Sequence, residues 1–468
     1  MAEGRIVDVA EVIERQPIGW FIVRLILVSW LVIFFDGYDM TSISFTSKYL
    51  MADFALNKAM LGNVFSAGIF GLLVGGFLFG WLGDRIGRRP SVIIATFAFS
   101  LLTAALGFAQ TYEQLLALRF LNGIVLGGAM PLLWALNIEF VPRRFRARVV
   151  TLILLGYGFG VAFAGPLARA LIPELGWHGV FWFGGAASFL AAVMLLVALP
   201  ESLRYLTSKG APAARIARVI KRLAPKLDLP ADAHFRLSDE VAGSAGKAPF
   251  HPGVLFRGRL AWITPLLWMA FIFSSLSTYF LTSWGPLVLE EMGFSANDAA
   301  WVTAANSLCG AVGGLAIMGF TDGKGPISIA VLPTIAVPLL LVAGLVPMGL
   351  GVFLALSLCL SVFLGGGHYA IQSIAGIFYP SAHRASGAGW AGSVAKVGSI
   401  AAPIIGAAVL STSLPVKNTY ALMAVCPAVF GVCVLFIGLI DRRMRRAGVS
   451  DASAPVETAA AGSVVAAE

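Results

Sequence analysis

The sequence predicts an all-α membrane protein of twelve transmembrane helices, arranged as two pseudo-symmetric six-helix halves. Three observations carry this. Of 468 residues, 58% are hydrophobic and only 12% charged, with a mean hydropathy of +0.86; a soluble protein carries about a quarter charged residues to keep its surface wet. The apolar residues gather into twelve runs, each near the roughly 20 residues that a helix needs to cross the hydrocarbon layer. One long polar segment, residues 200–258, divides those runs six and six. The same figures exclude a soluble enzyme, a disordered chain and a collagen-like chain.

The first run, 21–43, has no apolar stretch and no cleavage site before it, so it is expected to serve as the targeting signal and to stay on the chain. The second, 59–82, ends in a glycine- and arginine-rich loop, and Pro90 suits the first turn of the third, 91–110. The fourth to sixth cover 114–141, 149–172 and 179–199. After the polar segment come 260–288, 297–320, 327–348, 351–379, 386–411 and 419–440, with the ninth and tenth separated only by Pro347 and Gly349. The fifty-two glycines and 23 prolines are ordinary for membrane helices. Cys309, Cys359, Cys426 and Cys433 all lie inside apolar runs, which indicates no disulfide framework. No metal-ligand cluster and no cofactor motif is visible.

Lys and Arg set the orientation. Arg85, Arg88 and Arg89 follow the second run, Arg143, Arg144, Arg146 and Arg148 the fourth, and Arg442, Arg443, Arg445 and Arg446 the last. Residues 200–258 hold ten more, whereas the loops after the third, seventh and ninth runs hold none. By the positive-inside rule both termini and the middle segment are cytoplasmic. The net charge of +9 then reports basic loops against anionic lipid and not nucleic acid. The expected organisation is a cytoplasmic N-terminus (1–20), a first bundle (21–199), a cytoplasmic central loop (200–258) with a helix-compatible stretch at Ala213–Leu223, a second bundle (259–440) and a small, polar, disordered tail (441–468).

The sharpest local signal is Gly80-Trp-Leu-Gly-Asp-Arg-Ile-Gly-Arg-Arg-Pro90. Gly83 and Gly87 permit a tight turn, and Asp84, Arg85, Arg88 and Arg89 crowd four charges into it. A degenerate copy, Asp322-Gly-Lys324, closes the eighth run, and Pro200-Glu-Ser-Leu-Arg204 follows the sixth. On these residues the chain resembles the major facilitator superfamily along essentially its whole length. The resemblance implies the superfamily fold around a central cavity, and it implies that the loop is a gate. Asp84, Arg85 and Arg88 are carried over to that role, with Glu139 at the end of the fourth run as acidic partner and Arg384 at the start of the eleventh as a further gate residue.

Inside the first run lies Asp36-Gly-Tyr-Asp39. A carboxylate in the membrane costs about 2.5–3.5 kcal/mol on insertion scales. Two at spacing i, i+3 share a helix face and cannot both ionise cheaply, which suits a group that takes and releases a proton. This motif is similar to that of the aromatic acid:proton symporter family. The match extends through Arg119-Phe-Leu-Asn-Gly-Ile-Val-Leu-Gly-Gly-Ala-Met-Pro131, Leu281-Thr-Ser-Trp284 and Tyr379-Pro-Ser-Ala-His-Arg384. The resemblance implies import of a small aromatic carboxylate (benzoate, hydroxybenzoate, protocatechuate or gentisate) together with protons, in the inner membrane, by a carrier that functions as a monomer and is not an enzyme.

Arg119 falls in the same half of the membrane as Asp39, and a buried guanidinium there needs a carboxylate, from Asp36/Asp39 or from a substrate. Competition between those partners would couple proton and substrate. Further candidates for the substrate are Tyr38, the seventh-run Tyr279, Ser283 and Trp284, and His368, Tyr369 and Gln372 on the tenth. Lys396, mid-run in the eleventh, could meet the carboxylate; the family more usually has an arginine there. One feature points elsewhere: Gly156-Tyr-Gly-Phe-Gly160 with Gly165-Pro166 resembles the glycine-proline pattern of drug antiporters. A proton-driven efflux antiporter, an importer of a non-aromatic acid and a membrane sensor stay open as alternatives.

Overall fold

The structure, a computed structural model, describes residues 6–225, 227, 229–230, 233–237, 252–256, 258, 260–324, 329–379 and 384–446. Helix α1 (Val9–Arg15) precedes α2 (Trp20–Asp53), α3 (Lys58–Ile86), α4 (Arg88–Leu106), α5 (Tyr112–Phe140) and α6 (Arg143–Ala198), which form the first half. The middle segment contributes α7 (Leu203–Ser208) and α8 (Ala213–Leu223), the latter on the stretch expected to be helical. The second half comprises α9 (Leu260–Glu291), α10 (Ala296–Lys324), α11 (Val331–Leu345), α12 (Leu350–Phe378), α13 (Arg384–Leu410), α14 (Asn418–Met423) and α15 (Val425–Arg446). Side-chain caps start several of them: Asn57 accepts from the Met60 amide and Thr111 from that of Gln114. Among the described residues, nine helices are long and apolar enough to cross a membrane.

Two expected crossings are joined in α6. Its 56 residues would reach about 84 Å if straight, far beyond one bilayer. Gly176, with φ 65° and ψ −174°, breaks it, a backbone conformation that favours glycine. The first arm starts where the Arg143 amide donates to Glu14, and the second ends where Arg89 Nε donates to the Leu199 carbonyl, 2.7 Å away. Trp177, just past the bend, donates to Asp53 at the opposite end of α2. The two arms are therefore the fifth and sixth crossings, folded back with no loop between them. The eighth and ninth are α10 and the shorter α11, and the twelfth is α14 continued by α15.

Packing repeats under a shift of six crossings. In the first half α2 packs on α6 and α3 on α5; in the second α9 packs on α13 and α10 on α12. Small residues set both approaches. A Cβ at Gly75 would lie 1.8 Å from the Ile124 carbonyl, and one at Gly313 2.4 Å from that of Val362. Between the halves, α3 meets α13 and α6 meets α10, which the same shift exchanges. The Gly156–Gly160 stretch belongs to this packing: Gly160 abuts the Phe34 carbonyl and Gly156 that of Trp30.

The ends of the bundle differ. At the end opposite the 80–90 loop, one apolar core draws on both halves, with Leu61, Val64 and Phe65 beside Phe280, Trp284 and Val288. Lys48 pairs there with Glu290 at 3.2 Å and Lys58 with Glu291 at 2.9 Å, while Lys58 also donates to the Leu410 carbonyl. Toward the loop end, a separate core forms from second-half residues such as Ile263, Phe271 and Val434. A small module not expected from the sequence also lies at the loop end. Strand β1 (Ile6–Asp8) pairs in parallel with β2 (His234–Arg236), and the buried faces of α1 and α8 join the core of the first half.

Candidate transport site

Three long helices converge on Asp39. It is wholly buried, and its carboxylate accepts from Arg119 Nη1 at 3.0 Å, from Asn122 Nδ2 at 2.9 Å and from Thr103 Oγ1 at 3.0 Å. Arg119 is itself only 3% exposed, and its Nε makes no hydrogen bond. Glycine at 68 leaves room for the guanidinium, since a Cβ there would sit 3.4 Å from Nη2. Removing one partner from such a buried pair costs about 3–5 kcal/mol, because the other charge stays behind. The partner of Arg119, open in the sequence between Asp36, Asp39 and a substrate, is thus Asp39, closed within the first half with two further donors holding it.

Asp36, one turn earlier in α2, has different surroundings. It is buried, makes no hydrogen bond to another described residue, and lies within electrostatic reach of Asp39 and of Lys396 on α13 of the second half. Lys396 Nζ sits 6.0 Å from the centre of the Tyr279 ring. His368 Nδ1 and Ser274 Oγ are 3.2 Å apart, with the donor set by the imidazole tautomer, and His368 meets Tyr369 edge to face. Tyr157 on α6 interacts with Asp36, Tyr279 and Tyr369. Asp36, Tyr157, Tyr279, His368, Tyr369 and Lys396 therefore lie in one electrostatic neighbourhood drawn from both halves.

Other expected residues lie elsewhere. Tyr38 is wholly buried behind α2, where its hydroxyl donates to the Val180 carbonyl at 2.7 Å and its ring packs on Phe35, Phe163 and Phe183. Trp284 is wholly buried in the shared core, edge to face with Phe65, its indole donating to the Pro403 carbonyl at 3.1 Å. Ser283 is buried beside it in α9. Gln372 lies in α12 and Arg384 opens α13, but their side chains, like the Asp322–Lys324 copy, fall outside the described residues.

At the loop end Arg88 forms an ion pair with Glu139, which also accepts from the Ser202 hydroxyl. Glu201 receives the amides of Arg88 and Arg89, each at 3.1 Å, and so caps α4 where the chain turns through Gly87 at φ 107°. Arg85 lies over the Trp81 ring at 5.0 Å. Asp84 is exposed and bonds to no other described residue, so in this state the clasp holds Arg88, Glu139, Glu201 and Ser202 without it.

The sequence reading passed over Thr103, Asn122, Tyr157, Glu201 and Ser202. Asn122 had a signal, three residues after Arg119 on the same helix face. Glu201 and Ser202 sat inside a quoted motif. Threonine and tyrosine in membrane helices are too ordinary for Thr103 and Tyr157 to stand out.

Comparison with known proteins places the chain in a family. The chain is 31% identical over 442 residues to the 4-hydroxybenzoate transporter PcaK of Pseudomonas aeruginosa, covering 93% of this chain and 96% of that one. It is 33% identical over 427 residues to a gallate transporter of Pseudomonas putida, covering 89% and 92%. Among solved structures, the xylose transporter XylE of E. coli in a partially occluded inward-open conformation superposes with a TM-score of 0.67 at 18% identity, covering 91% and 98%. The Major Facilitator Superfamily model matches residues 29–365, and the chain belongs to that superfamily.

Proposed function

We propose that the chain is a proton-coupled importer of a small aromatic carboxylate, seated in the inner membrane with both termini in the cytoplasm. The observation that carries this is Asp36, a buried carboxylate without a hydrogen-bond donor that lies within electrostatic range of Lys396 of the other half. A substrate carboxylate and ionised Asp36 compete for the same ammonium. Protonation of Asp36 frees Lys396 for the substrate, and loss of the proton returns Lys396 to Asp36 and expels the substrate. Each ligand thereby favours the other, which is the coupling that symport requires. Asp39 is held by Arg119, Asn122 and Thr103 inside the first half, apart from this exchange.

Tyr279, Tyr369 and His368 supply flat and polar walls for a ring. The halves are joined opposite the 80–90 loop by Lys48–Glu290 and Lys58–Glu291, and the Arg88–Glu139 clasp at the loop end belongs to the gate that must rearrange during transport. The relatives named for 4-hydroxybenzoate and gallate support the substrate class.

Uptake of radiolabelled benzoate, 4-hydroxybenzoate, gentisate, protocatechuate and a C4-dicarboxylate into energised cells tests the reading. Accumulation of an aromatic acid that a protonophore abolishes is expected. Cell-associated label that rises when the protonophore is added would replace import by efflux.

A further inference from the structure

Tyr157 belongs to the Gly156–Gly160 stretch, whose glycines pack α6 on α2, and its position is tightly fixed. A Cβ at Gly37 would come within 2.2 Å of the Tyr157 carbonyl, so α6 presses on α2 at the residue next to Asp36. At the next residue α6 meets the second half, where a Cβ at Gly158 would lie 3.9 Å from Ala311 of α10, and Tyr157 is within electrostatic range of Tyr279 on α9 and Tyr369 on α12. Tyr369 is held in place by contact with α10, where a Cβ at Gly314 would strike its ring at 2.6 Å. Lys396 lies over Tyr279 on the side of α13.

Three phenols from three helices thus converge beside one ammonium and one carboxylate. Two tyrosine hydroxyls are bonded within the protein, Tyr38 to the Val180 carbonyl and Tyr205 to that of Arg85, while that of Tyr379 is buried without a hydrogen-bond partner among the described residues, away from this cluster. The hydroxyls of Tyr157, Tyr279 and Tyr369 make no hydrogen bond to any described residue. Hydroxyl groups left free at a polar meeting point have capacity for a ligand that carries its own donor and acceptor.

We propose that Tyr157 is a specificity-determining residue that hydrogen-bonds a ring hydroxyl of the substrate from the first half, while Lys396 holds its carboxylate from the second. The inference rests on the transport reading above and deepens it: the ring becomes a bridge between the halves, and its hydroxyl is what engages the half that carries Asp36. A site built to bond a hydroxyl rejects the analogue lacking it, because its own polar groups are then left unpaired. Tyr279 and Tyr369 complete the polar wall around the same group.

The test is competition of unlabelled 4-hydroxybenzoate and benzoate against labelled 4-hydroxybenzoate in cells that express the full chain, for wild type, Tyr157→Phe and Tyr38→Phe. Wild type is expected to prefer the hydroxylated acid by at least about tenfold. Tyr157→Phe narrows that ratio to about twofold by weakening the hydroxylated acid, with benzoate unchanged, and Tyr38→Phe keeps it. A preserved ratio in Tyr157→Phe, or the same narrowing in Tyr38→Phe, overturns the assignment. So does a wild type that takes both acids equally, which leaves the import reading standing. A wild type that carries no aromatic acid sinks both. The same ratio read as the ligand-induced shift in melting temperature of the purified proteins needs no turnover. It decides the case if Tyr157→Phe is too slow to assay.

Discussion

Two carboxylates one turn apart on α2 live in opposite settings. Asp39 is closed inside the first half, with three donors from α4 and α5 on its oxygens. Asp36 has no such donor and lies within electrostatic range of a lysine on the other half. A charge satisfied by its own bundle feels little when the halves rock. A charge whose partner sits across the boundary changes its surroundings with every cycle. The spacing that places both on one helix face therefore does not give them one role. In the proposed cycle Asp39 stays with its own bundle, and Asp36 is the group that meets proton and substrate.

The difference can be broken from either side. Arg119→Leu has the largest expected effect: it strands Asp39 in the bundle at a cost of about 3–5 kcal/mol, and no folded carrier should be recovered in a detergent-extraction and melting assay. Normal yield and melting would show that Asp39 does not need the pair. Asp36→Asn leaves the fold intact and removes the group that competes for Lys396. Proton-driven accumulation should fall by about a hundredfold (some 2.7 kcal/mol), while exchange of labelled for unlabelled substrate across the membrane persists. Loss of exchange as well would make Asp36 a binding residue and not a coupling one.

Smaller changes sharpen the contrast. Asn122→Ala removes one donor from Asp39 and should cost about 1–3 kcal/mol of stability, read as a lowered melting temperature with the proton-to-substrate ratio unchanged. A changed ratio would move Asp39 into the coupling step. The smallest effect belongs to the far end. Lys58 and Glu291 are partly exposed, and their pair is worth about 0.2–1 kcal/mol. Lys58→Glu should raise labelling of a cysteine introduced beneath that end, between the halves, about two- to fivefold, and adding Glu291→Lys should reverse it. An unchanged labelling pattern in the single variant would show that the pair does not hold the far end closed.

Much of this was legible in the residues. Twelve apolar runs follow from the thickness of the bilayer, which leaves little freedom for a chain of this hydropathy. Asp36, Asp39, Arg119 and Lys396 stood out because charge is expensive in the membrane. The fold-back at Gly176 did not, because a single positive-φ glycine has no signature within a long apolar stretch. Nor did β1 and β2, whose three residues each are too short for any period. Tyr38 and Trp284 were expected at the substrate, but an aromatic residue at helical spacing does not say which neighbour it faces. Tyr38 turned to α6 and Trp284 to the seam with Phe65. The roles of Asp36 and Asp39 were inseparable by spacing alone. Thr103 and Asn122, which distinguish them, come from other helices.

The most direct test reconstitutes the purified chain and its Asp36→Asn and Asp39→Asn variants in liposomes that enclose a pH-sensitive dye. Proton entry is followed when 4-hydroxybenzoate is added outside. The account predicts dye acidification locked to uptake in wild type, and substrate exchange without any acidification in Asp36→Asn. Acidification that survives in Asp36→Asn at the wild-type ratio of protons to substrate would contradict it.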